Sequence, residues 1–160
     1  LLEGGTGSQS IQQQMPDFLP DRLEAGTLNM PGIAGLLAGI RYVRRGGQEK
    51  ILAHEKHLTQ IAAQGLAAMP GMRIFASPGL RHQTGVLSLT VEGLDVESIG
   101  SALAERGFAV RTGIHCAPSA HRTAGTLDTG TVRVSFSDFN TPEEVARLLR
   151  VFPGALGRAF

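Results

Sequence analysis

Residues 130–145, GTVRVSFSDFNTPEEV, join the pattern of a β-strand to the start of a helix. Val132 and Val134 alternate with polar residues, and a period of two residues is typical of a strand with one buried face. Thr141 is a typical helix cap, and the proline that follows it suits the first helical turn. The stretch therefore predicts a strand and then a helix, with Arg133 on the strand face opposite the valines.

The same kinds of pattern extend back to Pro70. The segments MRIFAS and GVLSLTV indicate strands, a helix capped by Asp95 follows through Arg106, and FAVRT indicates a further strand. The resulting order, β-β-α-β-β-α, predicts an antiparallel α+β layer from about residue 70 to 155, with Cys116 in the loop that joins the last two strands.

Before Pro70 the chain begins with an aperiodic stretch and continues with two helical patterns. The first thirty or so residues are rich in Gly, Pro, Ser and Asn, which favours loops. An amphipathic helix is expected from about Gly32 to Gly46, because apolar residues recur at helical spacing and two glycines follow. A longer helix is expected over 48–69, where Pro70 and Gly71 end it.

Composition excludes several classes of function. The chain has 160 residues, a hydrophobic content of 42%, a net charge of +1 and no Trp. No apolar run is long enough for a membrane helix, and scattered charge with few aromatics gives no support for nucleic-acid binding. The start lacks the features of a signal peptide and a single cysteine cannot form an internal disulfide, so we expect a reducing, cytoplasmic setting.

Cys116 is the strongest candidate for chemistry by residue type. A thiolate is a good nucleophile when nearby positive charge lowers its pKa, and His115, His121, Arg111 and Arg122 can supply that charge. A lone cysteine is more often a small buried hydrophobe. Here a glycine and a proline flank the segment, which favours a loop position over a core position.

Arg133 and Arg111 are the candidate anion-binding residues. A planar guanidinium can clamp a carboxylate through two hydrogen bonds. A strand arginine can equally face solvent on the open side of an antiparallel sheet, and the pattern alone leaves both alternatives open.

The remaining motifs are weak. The turns GGTGS at residues 4–8 and Gly26-Thr27 can offer N–H groups to a phosphate, but their spacing matches neither the P-loop nor the dinucleotide-binding fingerprint. His54 and His57 are three residues apart on a helix, not four, and we expect them to be solvated. His115, Cys116 and His121 lack a fourth ligand, so no metal site is expected.

Four blocks of this sequence resemble successive blocks of the class V aminotransferase family: LEGGTGS, RLEAGTLNMPGIAGL, VRTGIHCAP and GTVRVSFSDFNTPEEV. The resemblance is to the cysteine desulfurase and selenocysteine lyase branch, and it spans nearly the whole chain. It implies the C-terminal part of an α/β pyridoxal phosphate-dependent transferase of fold type I. On this basis 1–46 form the tail of the large domain, 47–69 a connecting helix, and 70–160 a small α+β domain with an antiparallel sheet.

The resemblance also implies roles for individual residues. Cys116 accepts sulfur from L-cysteine as a persulfide, Arg133 holds the substrate carboxylate, and Arg111 orients the substrate. Thr27 reaches across the interface of a homodimer to the phosphate of the partner's pyridoxal phosphate, and Gly5 lies near the same pocket.

Two departures from the family pattern leave alternatives open. Ile114 replaces the first histidine of the R-x-G-H-H-C block, which leaves the preferred substrate and the sulfur-acceptor protein undecided. The family lysine that anchors the cofactor is absent, since the only lysines are Lys50 and Lys56. We therefore expect the C-terminal part of a cysteine desulfurase that is inactive alone. The alternatives are a selenocysteine lyase, another class V aminotransferase, or a free-standing module that binds a partner without catalysis.

Overall fold

The computed structural model describes residues 4–157 and divides into two compact units, Leu1–Gly46 and Gly47–Phe160. The first unit is irregular up to α1, Met30–Gly46, apart from short 3-10 turns at Gly7–Gln9 and Asp21–Leu23. The apolar side chains of α1 are exposed. Among residues 4–157, no helix is both long and apolar enough to cross a bilayer.

The second unit is a four-stranded sheet with helices. Its elements are α2 (Gln48–Ala67), β1 (Met72–Phe75), β2 (Val86–Val91), α3 (Val96–Ala104), β3 (Arg111–Gly113), α4 (Pro118–Ala124), β4 (Thr131–Ser135) and α5 (Pro142–Leu156). The strand order is β1-β2-β4-β3, and every neighbouring pair is antiparallel. The predicted fold class, a small α+β domain built on an antiparallel sheet, is confirmed.

One face of this sheet packs on α2, α3 and α5 and forms the core. Leu87 and Leu89 of β2 and Val132 of β4 are fully buried there. The helices contribute the other large buried side chains, Leu58, Leu66, Ile99, Leu103, Leu148 and Phe152. Burial of each such side chain stabilises the fold by about 1.5–3 kcal/mol. The alternation predicted for β4 is confirmed, because Val134 is also buried in this core while Arg133 points to the opposite face.

The predicted helix caps are confirmed. The carboxylate of Asp95 accepts a hydrogen bond from the backbone N–H of Ser98 at 2.8 Å. At the start of α5, the hydroxyl of Thr141 accepts from the N–H of Glu144, and the Glu144 carboxylate accepts from the N–H of Thr141 at 3.0 Å. These bonds satisfy donors that the first helical turn leaves free, and they fix where the two helices begin.

The structure differs from the sequence-based expectations in three respects. The helix α4 was not predicted, because seven residues rich in small side chains carry no apolar period. The FAVRT strand is shorter than expected, since only its last two residues and Gly113 pair with β4. His54 is not solvated: it is half-buried, and its Nε2 lies 2.8 Å from the carbonyl oxygen of Asn140. His57 is exposed, as expected.

Gly130, which precedes β4, makes a close backbone approach to β3. Its φ is +69°, and an added Cβ would lie 2.8 Å from the backbone Cα of Gly113 on β3. We expect Gly130→Ala to lower the free energy of unfolding by about 3 kcal/mol or more, because backbone atoms cannot move aside. Urea unfolding measures this loss.

Gly125→Ala is the matched control. Gly125 has a φ of +70°, but an added Cβ meets nothing within 4 Å. This variant carries the strain of a left-handed residue without the clash, so its loss is about 1 kcal/mol. Equal losses in the two variants would contradict the close approach of β3 and β4 at Gly130.

Candidate active site

A row of paired residues crosses the sheet on the face opposite the core. The strand register places Phe75 opposite Ser88, Ser88 opposite Arg133, and Arg133 opposite Arg111. Paired residues of antiparallel strands share a face, with Cβ atoms about 4.5–5.5 Å apart. Arg111 and Arg133 are therefore neighbours on this open face. Like charges directly opposite each other are unfavourable, and an anion between them would remove that cost.

Arg133 has a buried donor that is not satisfied. Its side chain is half-buried, and within the described residues its Nε is buried without a hydrogen-bond partner. Buried polar atoms are nearly always hydrogen-bonded, so this donor, like the Nδ1 of His115 that is also unpartnered in the described part of the chain, is available to a group that binds there. The guanidinium can thus receive an anionic ligand on the open face.

The candidate thiol lies at the tip of a tight turn directly after β3. His115 and Cys116 have φ values of +54° and +58°. The N–H of Ala117 donates to the carbonyl of Ile114 at 3.0 Å and closes the turn. Cys116 is exposed, which agrees with its predicted loop position and not with a core cysteine. The turn presents the thiol to solvent.

His115 in this turn and His121 on α4 make hydrogen bonds to threonines. Nε2 of His115 lies 3.0 Å from Oγ1 of Thr131, and Nδ1 of His121 lies 2.8 Å from Oγ1 of Thr126. The two imidazole rings are 5.7 Å apart, with an angle of 47° between their planes. Sequence reasoning missed Thr126 and Thr131 as partners of the histidines. A hydroxyl that meets an imidazole only after folding leaves no periodic pattern in the sequence.

Burial lowers the pKa of His115, and the charges of Arg133, His121 and Arg111 lower it further. His115 is therefore neutral at neutral pH. The expectation that His115 supplies positive charge to the thiol is wrong for this reason.

A small cavity of about 140 Å³ lies between α4 and the open face of the sheet. Its lining includes Phe75, Ser88, His121, Thr126 and Thr131. Among residues 4–157, no three His, Cys, Asp or Glu side chains come together as a metal-binding group.

The other two predicted site residues, Gly5 and Thr27, lie in the first unit. The carbonyl of Gly5 accepts a hydrogen bond from the N–H of Gly26 at 2.7 Å, so the two glycine-containing turns meet. Gly5 and Thr27 are exposed. The exposed hydroxyl of Thr27, which follows Gly26 in the chain, is a donor that suits a phosphate.

Comparisons with known proteins identify the family of this chain. The family model described as aminotransferase class-V matches residues 1–148. A probable cysteine desulfurase 2 of Mycobacterium leprae (strain TN) is 34% identical over 93% of this chain, which spans 36% of that relative.

Two solved structures share the fold. The apo cysteine desulfurase of Thermococcus onnurineus NA1 superposes with a TM-score of 0.79 at 34% identity, over 98% of this chain and 39% of its own. The cysteine desulfurase CsdA (S-sulfonic acid) of Escherichia coli superposes with a TM-score of 0.81 at 29% identity, over 99% of this chain and 39% of its own. This chain thus spans well under half the length of each of these three proteins.

The lowered pKa of His115 predicts a pH dependence of stability. Between its lowered folded value and the ordinary value of 6.5, the unfolded chain binds more protons than the folded one. The contribution of His115 to the free energy of unfolding is therefore complete above about pH 6.5 and is lost as the pH falls through the folded pKa.

Chemical denaturation from about pH 5 to pH 8 measures this slope, with His115→Asn as the comparison. The variant should lose part of the slope in this range. Asp95 and Glu144 also have lowered pKa values, but as carboxyl groups they act at lower pH. Identical slopes in the variant and the parent would contradict the assignment to His115.

Proposed function

We propose that this chain, which belongs to the class V aminotransferase family, carries the sulfur-accepting loop and the substrate-carboxylate site of a cysteine desulfurase. The enzyme would convert L-cysteine to L-alanine and leave the sulfur on Cys116 as a persulfide. The observation that supports this best is the unsatisfied, buried Nε of Arg133 on the same sheet face as Arg111, with the exposed thiol at the end of β3.

Substrate binding depends on the paired arginines. The guanidinium of Arg133 binds the carboxylate of L-cysteine, and the neighbouring Arg111 adds a second positive charge. Because strands hold both residues, the amino acid is fixed in one orientation with its sulfur toward the turn. A lysine in either place would supply the charge without the two parallel hydrogen bonds.

Sulfur transfer depends on Cys116. Its thiolate attacks the sulfur of the bound substrate, and a new S–S bond forms while the bond from Cβ to sulfur breaks. The electron pair of the broken bond stays with the carbon, which takes up a proton and leaves as alanine. The exposed turn then offers the terminal sulfur to a sulfur-acceptor protein.

The cofactor in this proposal is pyridoxal phosphate, which when bound acts as an electron sink that lets a proton leave Cα. Thr27 and the turn containing Gly5 would hold its phosphate, because Thr27 offers an exposed hydroxyl and the Gly5 turn is hydrogen-bonded to the neighbouring Gly26. In the proposed homodimer they serve the partner's cofactor. Lys50 and Lys56 both lie on α2, and Lys56 donates to the carbonyl of Arg81 at 3.3 Å. We therefore assign the cofactor-anchoring lysine to polypeptide outside these 160 residues.

The boundaries 1–46, 47–69 and 70–160 for a large-domain tail, a connecting helix and a small domain belong to the same proposal. A cytoplasmic location fits it, since the sulfur-accepting thiol must stay reduced. Cleavage of selenocysteine is the second candidate, because Ile114 departs from the first histidine of the R-x-G-H-H-C block and leaves the preferred substrate open.

Cys116→Ala tests the sulfur-transfer step in the polypeptide that carries both this chain and the anchoring lysine. With L-cysteine we expect alanine release to fall by about 100-fold or more, because no thiol remains to accept sulfur. The parent should also show a sulfur-sized mass gain on the Cys116 peptide. Undiminished alanine release by the variant would contradict a desulfurase that uses Cys116, and retained cleavage of selenocysteine alone would favour the second candidate.

Arg133→Lys tests the carboxylate site in the same polypeptide. Loss of the two parallel hydrogen bonds should raise KM for L-cysteine by about tenfold or more, which corresponds to about 1.4 kcal/mol. Arg150→Lys, an exposed position on α5, is the matched control and should leave KM unchanged. An unchanged KM in Arg133→Lys would remove Arg133 from the site.

A further inference from the structure

The turn that carries Cys116 has an unfavourable backbone conformation. His115 and Cys116 are consecutive residues with positive φ, and neither is a glycine or an asparagine. Each left-handed residue of this kind costs about 1–2 kcal/mol. Such a conformation persists only where the surrounding structure holds it. The hydrogen bond from Ala117 to Ile114 closes the turn but does not reach the sheet.

His115 connects the turn to the sheet. Its Nε2 lies 3.0 Å from the hydroxyl of Thr131, the first residue of β4. Thr131 is only 3% exposed and is paired with Gly113 of β3. The orientation of the His115 ring is thus coupled to the backbone angles of the turn.

His121, on α4, lies beside the His115 ring and is itself held in place; we refer to His121 with Thr126 as the brace. It is 6% exposed, and Thr126, 3% exposed, holds it through two contacts. Oγ1 of Thr126 lies 2.8 Å from Nδ1 of His121, and the N–H of Thr126 donates to the His121 carbonyl at 2.9 Å. The braced ring lies 5.7 Å from the ring of His115.

The charges around the His115 ring favour its neutral form. Arg111 on β3 and Arg133 on β4 both act on His115, and so does His121 itself. A protonated imidazole would therefore meet three cationic or ionisable groups. No step in the proposed sulfur transfer uses His121.

We propose that His121, braced by Thr126, is a positioning residue that packs on His115 and holds the His115–Cys116 turn in its left-handed form. It acts on the thiol only through His115. The inference deepens the proposed function, because it rests on Cys116 as the sulfur-accepting thiol. Without the brace, the His115 ring can rotate away from Thr131 and the turn can relax to unstrained backbone angles.

Hydrogen exchange at the amide of Ala117 tests this directly in the intact protein and needs no cofactor. That amide closes the turn, so its protection reports the turn alone. We expect Thr126→Val, which keeps the side-chain shape, and His121→Ala to speed its exchange by about tenfold or more. Exchange at Val132 and Val134 of β4 should stay unchanged, which separates a local loss from general unfolding.

Thr123→Val and His57→Ala are the matched controls. Thr123 also lies on α4 but is exposed, with its hydroxyl on the carbonyl of Ser119, and His57 is exposed on α2. Neither change should alter exchange at Ala117. If His121→Ala lowers protection in β4 as well, Thr126→Val decides the question, and unchanged Ala117 exchange in a folded Thr126→Val protein overturns the proposal.

Kinetics in the polypeptide with its cofactor supply the second readout. A misplaced thiol slows sulfur transfer without weakening carboxylate binding, so Thr126→Val should lower kcat by about fivefold or more with KM nearly unchanged. An equal rise in KM would indicate a general disturbance and contradict positioning. If Thr126→Val speeds exchange at Ala117 but the parent polypeptide has no desulfurase activity, the proposed function is contradicted. The positioning role of His121 then still holds.

Discussion

The alternation of side chains along β2 and β4 is the constraint on which the second unit depends. Leu87, Leu89 and Val132 must lie on the buried face, because α2, α3 and α5 remove them from water. A shift of one residue in register would exchange the two faces completely. The same alternation therefore places Ser88 and Arg133 on the open face. The hydrophobic core thus determines where the charged groups stand.

Much of this arrangement can be predicted from the sequence, because it follows from short-range patterns. The strand–helix order, the caps at Asp95 and Thr141, and the opposed faces of Val132 and Arg133 all depend on neighbours within a few residues. The helix α4 could not be predicted in this way, since its seven residues are rich in small side chains and carry no apolar period. The histidine–threonine contacts were missed for a related reason: they join residues whose side chains meet only after the turn and α4 have formed.

At the candidate site, family resemblance and strand register supply different kinds of information. Resemblance to the family implies that Arg111 and Arg133 both contact the substrate. Independently, the backbone pairing of β3 with β4 places the same two residues opposite each other. The register carries no information about which amino acid binds there. The neutral state of His115 follows from neither source, because it depends on burial and on three surrounding groups. The sequence pattern therefore predicts where Arg111 and Arg133 lie. The protonation state of His115 requires the three-dimensional environment.

The shortness of β3 has a consequence for how the thiol loop behaves. β3 has three residues, and in the described sheet it is an edge strand with β4 as its one neighbour. Few backbone hydrogen bonds must break for an edge strand of this length to separate, so its opening costs less free energy than unfolding of the whole unit. Besides its pairing with β4, β3 has a hydrogen bond from the Thr112 hydroxyl to the Glu97 carboxylate of α3 at 2.6 Å. We therefore expect the segment from Arg111 to Cys116 to open locally at a lower free energy than β2, β4 and the three core helices. Local opening of this segment would carry the Cys116 thiol away from the sheet while the core stays folded.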